Sequence, residues 1–305
     1  MSDEFFLATG KSIVSSTGRW YQCIQALGEG QNASVFLMLA TSHDHKGALF
    51  AAKIFKRLSR TESRNRFLDE INFLKSCDHP SVMKLIDHGL YHDKHPFMLV
   101  EYLPATLRGA MIRGLSQAEK VCYVLQLLSA LQYLANQTPP VIHGDIKPEN
   151  IFIKGRSCVL GDFGLLRRAD GSLWAETDEP AMPSRYRTPD LVRFGKGISP
   201  LTERSDWYQA GLVIAELFSG YNPQIPLTSS QSRLSDVEME RLAEIPGEKN
   251  WRLIVSLITR MLKDDPQERP ALSDLLDLWR GVLMNVLKLS EALEGALFPV
   301  WMATR

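Results

Sequence analysis

The sequence predicts an α+β protein of two lobes, a small strand-rich one followed by a larger helical one. Three observations carry this. Before about residue 103, short apolar runs of strand length dominate. After it, apolar residues recur at helical spacing. Two stretches, 143–150 and 161–190, concentrate Gly, Pro, Asp and Asn between the periodic segments. A small sheet, a helical body and polar loops are the parts of a cleft enzyme.

The strand-like runs are residues 21–27, 34–40, 49–55 and 97–102. One helical pattern interrupts them at 64–76, with Phe67, Ile71 and Leu74 along one face. In the second part the helical runs are 117–135, 206–219, 251–262 and 273 onward, and residues 157–160 read as a short strand. The expected division is a 1–19 extension, a first lobe over 20–102, a second lobe over 103–282 and a helical extension over 283–305. The first 19 residues fit either a disordered tail or an extra strand. Residues 221–250 read as a surface loop and helix, or alternatively as a region of substrate or partner contact. From Ser273 to about Leu297 runs a leucine-rich helix or helix pair. It either packs on its own lobe or offers an interface, and the oligomeric state stays open.

Lys+Arg and Asp+Glu both total 35, and hydrophobic residues make up 45%. A zero net charge argues against a general nucleic-acid binder or a basic membrane-surface protein. The run 121–134 is apolar but interrupted by Gln126, Ser129 and Gln132, so it reads as a buried soluble helix; no membrane partner is expected. The start MSDEFF lacks the basic n-region of a signal peptide. The cysteines Cys23, Cys77, Cys122 and Cys158 form no C-x-x-C pair, which fits reduced thiols in a cytoplasmic setting.

Four motifs carry chemistry. Gly28-Glu29-Gly30-Gln31-Asn32-Ala33-Ser34-Val35 lies between two expected strands. Glycines at a hairpin tip let backbone N–H groups approach phosphate oxygens, although a G-x-G pair alone also fits a plain hairpin turn. A strand, not a helix, follows, which sets it apart from a dinucleotide fingerprint, and no Gly-Lys-Ser/Thr ends it. Ala51-Ala52-Lys53 sits on an apolar strand. A lysine there needs a counter-charge, for which Glu70 on the next helix is a natural partner, unless it is a surface lysine on an edge strand.

His143-Gly144-Asp145-Ile146-Lys147-Pro148-Glu149-Asn150 puts an acid, a base and an amide within eight residues. A carboxylate can accept the proton of a hydroxyl, a lysine can neutralise charge on a transferred phosphate, and an amide oxygen suits Mg²⁺. Gly161-Asp162-Phe163-Gly164 follows the 157–160 strand, seventeen residues after Asp145. It offers a carboxylate to a metal.

Taken in order, these residues resemble the eukaryotic-like (Hanks-type) Ser/Thr protein kinase family over about residues 20–282, with a His-Gly-Asp variant of the catalytic loop. The resemblance implies a bilobal fold, with an antiparallel-sheet N-lobe carrying one regulatory helix and a helical C-lobe. It implies ATP and Mg²⁺, with Mn²⁺ as a substitute, and a protein substrate. Gly28, Gly30, Val35, Ala51, Lys53, Glu101, Leu103 and Phe152 would bind the nucleotide. The resemblance also implies that Lys53 pairs with Glu70, that Asp145 is the catalytic base assisted by Lys147, and that Asn150 and Asp162 hold the metal. Leu99 to Leu103 looks like the adenine-receiving hinge, with Val100 at the gatekeeper position. Thr188-Pro189-Asp190 stands in for Ala-Pro-Glu with Arg269 as ion-pair partner, and Asp206 resembles the aspartate that braces the catalytic loop.

The departures are Ala33 for the third loop glycine, Gly144 where arginine is common, and Pro183 where Ser/Thr kinases carry threonine. That arginine usually receives an activation-loop phosphate, so the expectation is activity independent of such phosphorylation. Pro183 puts the substrate platform in doubt, with Ser184 one residue on. The resemblance leaves two rivals, a small-molecule phosphotransferase of the aminoglycoside/choline kinase type and a pseudokinase scaffold. Against the first stand Lys147-Pro148-Glu149, the Asp-Phe-Gly triplet and Thr188-Pro189-Asp190. Against the second stand Lys53, Glu70, Asp145, Asn150 and Asp162, all present. The compact layout fits a cytoplasmic enzyme, including a secreted effector acting in a host cytosol.

Overall fold

The computed structural model describes residues 7–169, 184–224, 234–235, 239–240 and 251–297. Its chain forms two compact units. One contains the residues up to Pro104 together with Gly161–Leu166, and the other runs over Ala105–Leu160 and continues from residue 167.

The first unit is built on a six-stranded antiparallel sheet of β1 (Ser12–Val14), β2 (Trp20–Glu29), β3 (Ala33–Ala40), β4 (Leu49–Phe55), β5 (Leu85–Tyr91) and β6 (His95–Glu101). Their order across the sheet is β1-β2-β3-β4-β6-β5. Alternation along β4 sorts the two faces: Phe50, Ala52 and Ile54 are buried in a core shared with Phe36, Met38 and Phe97. The opposite face carries Ala51 and Lys53, and Lys53 lies directly across from Val35 and Met98. The helix α1 (Thr61–Ser76) packs against this sheet through Phe67, Ile71, Phe73 and Leu74.

The segment before β2 is the extra strand, not a tail: β1 pairs with β2. The turn behind it is fastened to β5 by Asp87, which accepts hydrogen bonds from Thr17 (2.6 Å) and Tyr21 (3.2 Å) and meets Arg19 at 3.5 Å. Leu7 is buried in the same core.

The second unit contains the helices α2 (Leu107–Arg113), α3 (Gln117–Ala135), α4 (Pro189–Gly195), α5 (Arg204–Ser219), α6 (Trp251–Met261) and α7 (Leu272–Leu297). Two small sheets accompany them. The strands β7 (Ala105–Thr106), β9 (Ile151–Lys154) and β10 (Ser157–Leu160) form one, in the order β10-β9-β7; β8 (Val141–Ile142) and β11 (Arg167–Arg168) form the other. A capping box opens α3, in which the Ser116 hydroxyl accepts from Glu119 N–H and the Glu119 carboxylate accepts from Ser116 N–H. The interior helix α5 is buried nearly all round, from Ser205 to Phe218. Against α3 packs α7, whose Leu275, Trp279 and Val282 are fully buried while Met284 and Leu287 are exposed. Among the described residues, no helix is long and apolar enough to cross a membrane.

Candidate active site

In the first unit, the glycine segment closes the β2–β3 hairpin. Gly28 pairs with Val35 and Glu29 with Ser34, and the Gly30 N–H donates to the Ala33 carbonyl at 2.8 Å. A Cβ at Gly30 would stand 3.3 Å from that carbonyl, so any other residue there would push the tip apart by a few tenths of an ångström. Ala33 replaces the third glycine without breaking the turn, since it sits buried in β3 opposite Phe55.

Lys53 lies on the face of β4 away from the apolar core. Its Nζ donates to both Glu70 oxygens at 2.9 Å and to Asp162 Oδ1 at 2.7 Å. Glu70 is buried because it lies on the same face of α1 as Phe67, Ile71 and Leu74. Burial alone would lower the Lys53 ammonium, but Asp162 and Glu70 outweigh it and hold it above the ordinary lysine value. Burial raises the Glu70 carboxyl, and the attraction of Lys53 recovers only part of that. Asp162 reaches the lysine from a left-handed backbone with φ 59°, and the ring of the following Phe163 packs at a tilt against Phe73 with centroids 5.2 Å apart. Val35 and Ala51 share the sheet face of Lys53. Glu101 pairs with Phe50 on the other face, so any contribution it makes to nucleotide binding comes from its backbone. Leu103, partly buried, follows β6.

In the second unit, the loop after β8 carries Asp145, Lys147 and Asn150. Asp145 Oδ2 accepts from Lys147 Nζ at 2.7 Å and from Asn150 Nδ2 at 2.8 Å, and Asn150 Nδ2 also donates to the Asp145 carbonyl at 2.9 Å. With its nitrogen committed to Asp145, the Asn150 amide has its oxygen left for a hard cation. His143 is fully buried, and its Nδ1 accepts from the Asp145 N–H at 3.2 Å. Below the loop, α5 supplies two braces. Asp206 takes the N–H groups of His143 (2.7 Å) and Gly144 (2.9 Å). Gln209 Oε1 takes that of Ile146 (2.9 Å) while its Nε2 donates to the carbonyls of Gly144 (3.2 Å) and Tyr186 (3.0 Å). Phe152 sits in β9 opposite Val159 and Thr106. Asp190 and Arg269 form a buried ion pair at 2.8 Å. Pro183 lies outside the described residues.

Asp162 in the first unit and Asn150 in the second each present a hard oxygen of the kind a phosphate-bound divalent cation takes. Among the described residues no group of three or more His, Cys, Asp or Glu side chains could hold a metal alone. Mg²⁺ commonly takes one or two protein oxygens and completes its shell with phosphate and water. Gln209 carries no motif of its own, but its place one turn after Asp206 on an apolar helix marks it as an inward-facing polar residue.

Residues 21–279 match the protein kinase domain family. Among curated proteins, the chain is 30% identical over 242 residues to cyclin-dependent kinase G1 of Arabidopsis thaliana, covering 76% of this chain and 38% of the relative. It is 26% identical over 268 residues to a Dictyostelium discoideum protein named "Probable serine/threonine-protein kinase nek2", covering 84% of this chain and 61% of that relative. The aligned region thus spans less than two thirds of either relative. With the family matched over most of its length, the chain belongs to the protein kinase domain family.

Proposed function

We propose that the chain is an ATP- and divalent-metal-dependent protein kinase that phosphorylates serine or threonine hydroxyls of proteins. The observation that carries this is the Asp145 carboxylate held by Lys147 and Asn150 on a loop whose backbone is braced from α5. Asp145 orients the acceptor hydroxyl and takes its proton, and Lys147 neutralises charge on the oxygens being transferred. Lys53, fixed by Glu70, binds phosphate oxygens. Asp162 and Asn150 would each offer oxygen to a divalent cation, Mg²⁺ by its hardness, with Mn²⁺ as a substitute. ATP supplies the phosphoryl group and the cation offsets its charge. Most of the acceleration comes from positioning and electrostatics. Lysine at position 147 favours Ser/Thr over Tyr acceptors.

Activity independent of activation-loop phosphorylation belongs to the same proposal. Gly144 leaves no guanidinium at the position before Asp145, and a phosphate there lacks its usual docking partner.

The test is incubation with labelled ATP and Mg²⁺, alone and with generic Ser/Thr proteins, beside Asp162→Ala and Asp145→Asn. Label on Ser or Thr that vanishes in both variants, with ATP binding retained by Asp145→Asn, is the expected result. ATP binding with no protein label would move the reading to a small-molecule kinase or a binding module. A large loss on phosphatase treatment would overturn the independence from loop phosphorylation.

A further inference from the structure

The family match begins at residue 21, yet residues 7–19 are bound into the sheet of the first unit. Leu7 and Ile13 lie in its core. The Gly10 N–H donates to the Cys23 carbonyl and the Cys23 N–H to the Lys11 carbonyl, both at 2.8 Å, and β1 continues the pairing from Ser12 to Val14. The chain then turns over residues 15–19, where the Ser15 N–H donates to the Arg19 carbonyl at 2.9 Å.

That turn joins the two edges of the sheet. β1 and β5 stand at opposite ends of the strand order, and they meet. The Ser16 N–H and hydroxyl both donate to the His88 carbonyl, at 2.8 Å and 3.0 Å. Beside them Asp87 is buried. Its Oδ2 accepts from the Thr17 hydroxyl at 2.6 Å and the Tyr21 hydroxyl at 3.2 Å, with Arg19 Nη1 at 3.5 Å, and its Oδ1 accepts from the His88 N–H at 2.9 Å. Burial raises the Asp87 carboxyl, but hydrogen bonds from Thr17, Ser15, the His88 N–H and Tyr21 outweigh it and hold it below the ordinary aspartate value. Gly89 leaves room for the turn: a Cβ there would stand 3.2 Å from Ser15 Cα and 2.7 Å from the Phe97 ring.

Tyr21 belongs to β2, so this carboxylate fixes the root of the strand that ends in the glycine hairpin. Beyond its root, β2 is weakly held. Among the described residues no strand pairs with its outer edge after Gln22. On the inner edge, the register against β3 shifts between Cys23 and Gln25 and again between Ala26 and Gly28. A strand free on one edge and bulged on the other takes its direction from its anchor.

We propose that residues 7–19 are a strap that closes the sheet, and that Thr17 and Asp87 are positioning residues for the glycine hairpin. Through β2 they hold the hairpin where its N–H groups meet nucleotide phosphates. The inference rests on the nucleotide-binding part of the kinase reading above.

The affinities of ATP and adenosine, each with Mg²⁺ present, are measured by calorimetry for wild type, Thr17→Val, Thr17→Ser and Asp87→Asn. Adenosine has no phosphate for the hairpin to meet, so it reports the remainder of the site. In Thr17→Val and Asp87→Asn the preference for ATP over adenosine is expected to fall roughly fivefold or more, the low end of coupling between separate sites. Amide exchange over residues 28–34 is expected to quicken in the same variants. Thr17→Ser keeps the donor and is expected to keep the wild-type ratio. An unchanged ratio, or equal losses for both ligands, would overturn the proposal and leave the strap a stabilising element alone. Hairpin amides as protected as in wild type would do the same. Should Asp87→Asn not fold, Thr17→Val decides, because it deletes one hydroxyl and no carboxylate. Wild type that fails to bind ATP would overturn the kinase reading and the proposal together, whereas an unchanged ratio in variants that bind ATP overturns the proposal alone.

Discussion

Gly144 and Asp206 are joined by a hydrogen bond of 2.9 Å from the Gly144 N–H to Oδ1, beside the bond from the His143 N–H to Oδ2. Burial pushes the Asp206 carboxyl up from 3.8 to about 7, although these two N–H groups pull it down; nearby Glu203 and Asp190 raise it further. A carboxyl raised on folding holds its proton more tightly in the folded chain. Its contribution to stability is therefore full below 3.8 and is lost as pH rises through about 7. Asp206→Asn removes that dependence. The melting temperature of wild type minus that of the variant is expected to shrink as pH rises across this window. A gap that stays constant with pH would mean that Asp206 is not displaced.

Gly164 borders the Lys53 ion cluster. A Cβ added to it would stand 3.3 Å from Asp162 Oδ1, 3.5 Å from Lys53 Nζ and 3.8 Å from Glu70 Oε2. The first distance is tighter than ordinary contact, so the carboxylate must give way. Gly164→Ala is expected to cost about 1–3 kcal/mol, the usual range for overpacking. Phosphate transfer should fall more steeply than stability, because the displaced atom is the one that meets the lysine. Melting and kcat measured on the same preparation check this, and an unchanged kcat would show that the cluster tolerates the methyl group.

The parts of the fold with local signals were legible in the sequence. Strand-length apolar runs gave β2, β3, β4 and β6, and 3.6-residue spacing gave α3, α5 and α6 to within two residues and α1 from three residues after its start. Two strands carried no such signal. In β5, Asp87, His88 and Gly89 interrupt the apolar pattern, and the strand holds because Thr17, Tyr21 and Arg19 reach Asp87 from about 70 positions earlier. The three-residue β1 is defined only by its pairing with β2. The short helices α2 and α4 were readable but unread. Thr106 and Thr188 are side-chain N-caps, and Pro189 stands at the first helical position.

In the candidate site, spacing gave Asp145, Lys147, Asn150 and Asp162, since they crowd two short loops. Arg108, Gln209 and Glu216, the first and last joined at 2.7 Å, were out of reach. Their partners lie 23 to 108 positions away along the chain, and no local pattern encodes such pairings.

Arg269 is fully buried against Asp190 and also donates to the carbonyls of Lys263, Arg204 and Asp264. Removing it strands a buried carboxylate and three acceptors together. Arg269→Ala is therefore expected to lose about 3–5 kcal/mol, among the largest effects of any single substitution in the second unit. Denaturant unfolding measures it. A loss below about 1 kcal/mol, the scale of a surface pair, would show that water replaces the guanidinium.

Lys53→Met separates the structural role of the lysine from its chemical one. The substitution leaves Glu70, only 3% exposed, without its cation, at a cost of about 3–5 kcal/mol. That cost has a pH signature. The Glu70 carboxyl is already raised by burial, and losing Lys53 raises it further, so the folded variant takes up a proton readily as pH falls. The loss of stability should be smaller at pH 5 than at pH 8. Lys53→Met/Glu70→Gln, which buries no charge at position 70, should regain most of the stability at pH 8 yet remain without phosphate transfer. Denaturant unfolding at both pH values, with a transfer assay on each variant, tests the whole argument. A pH-independent loss would show that Glu70 is solvated once the lysine is gone, and recovered transfer in the double variant would remove Lys53 from the chemistry.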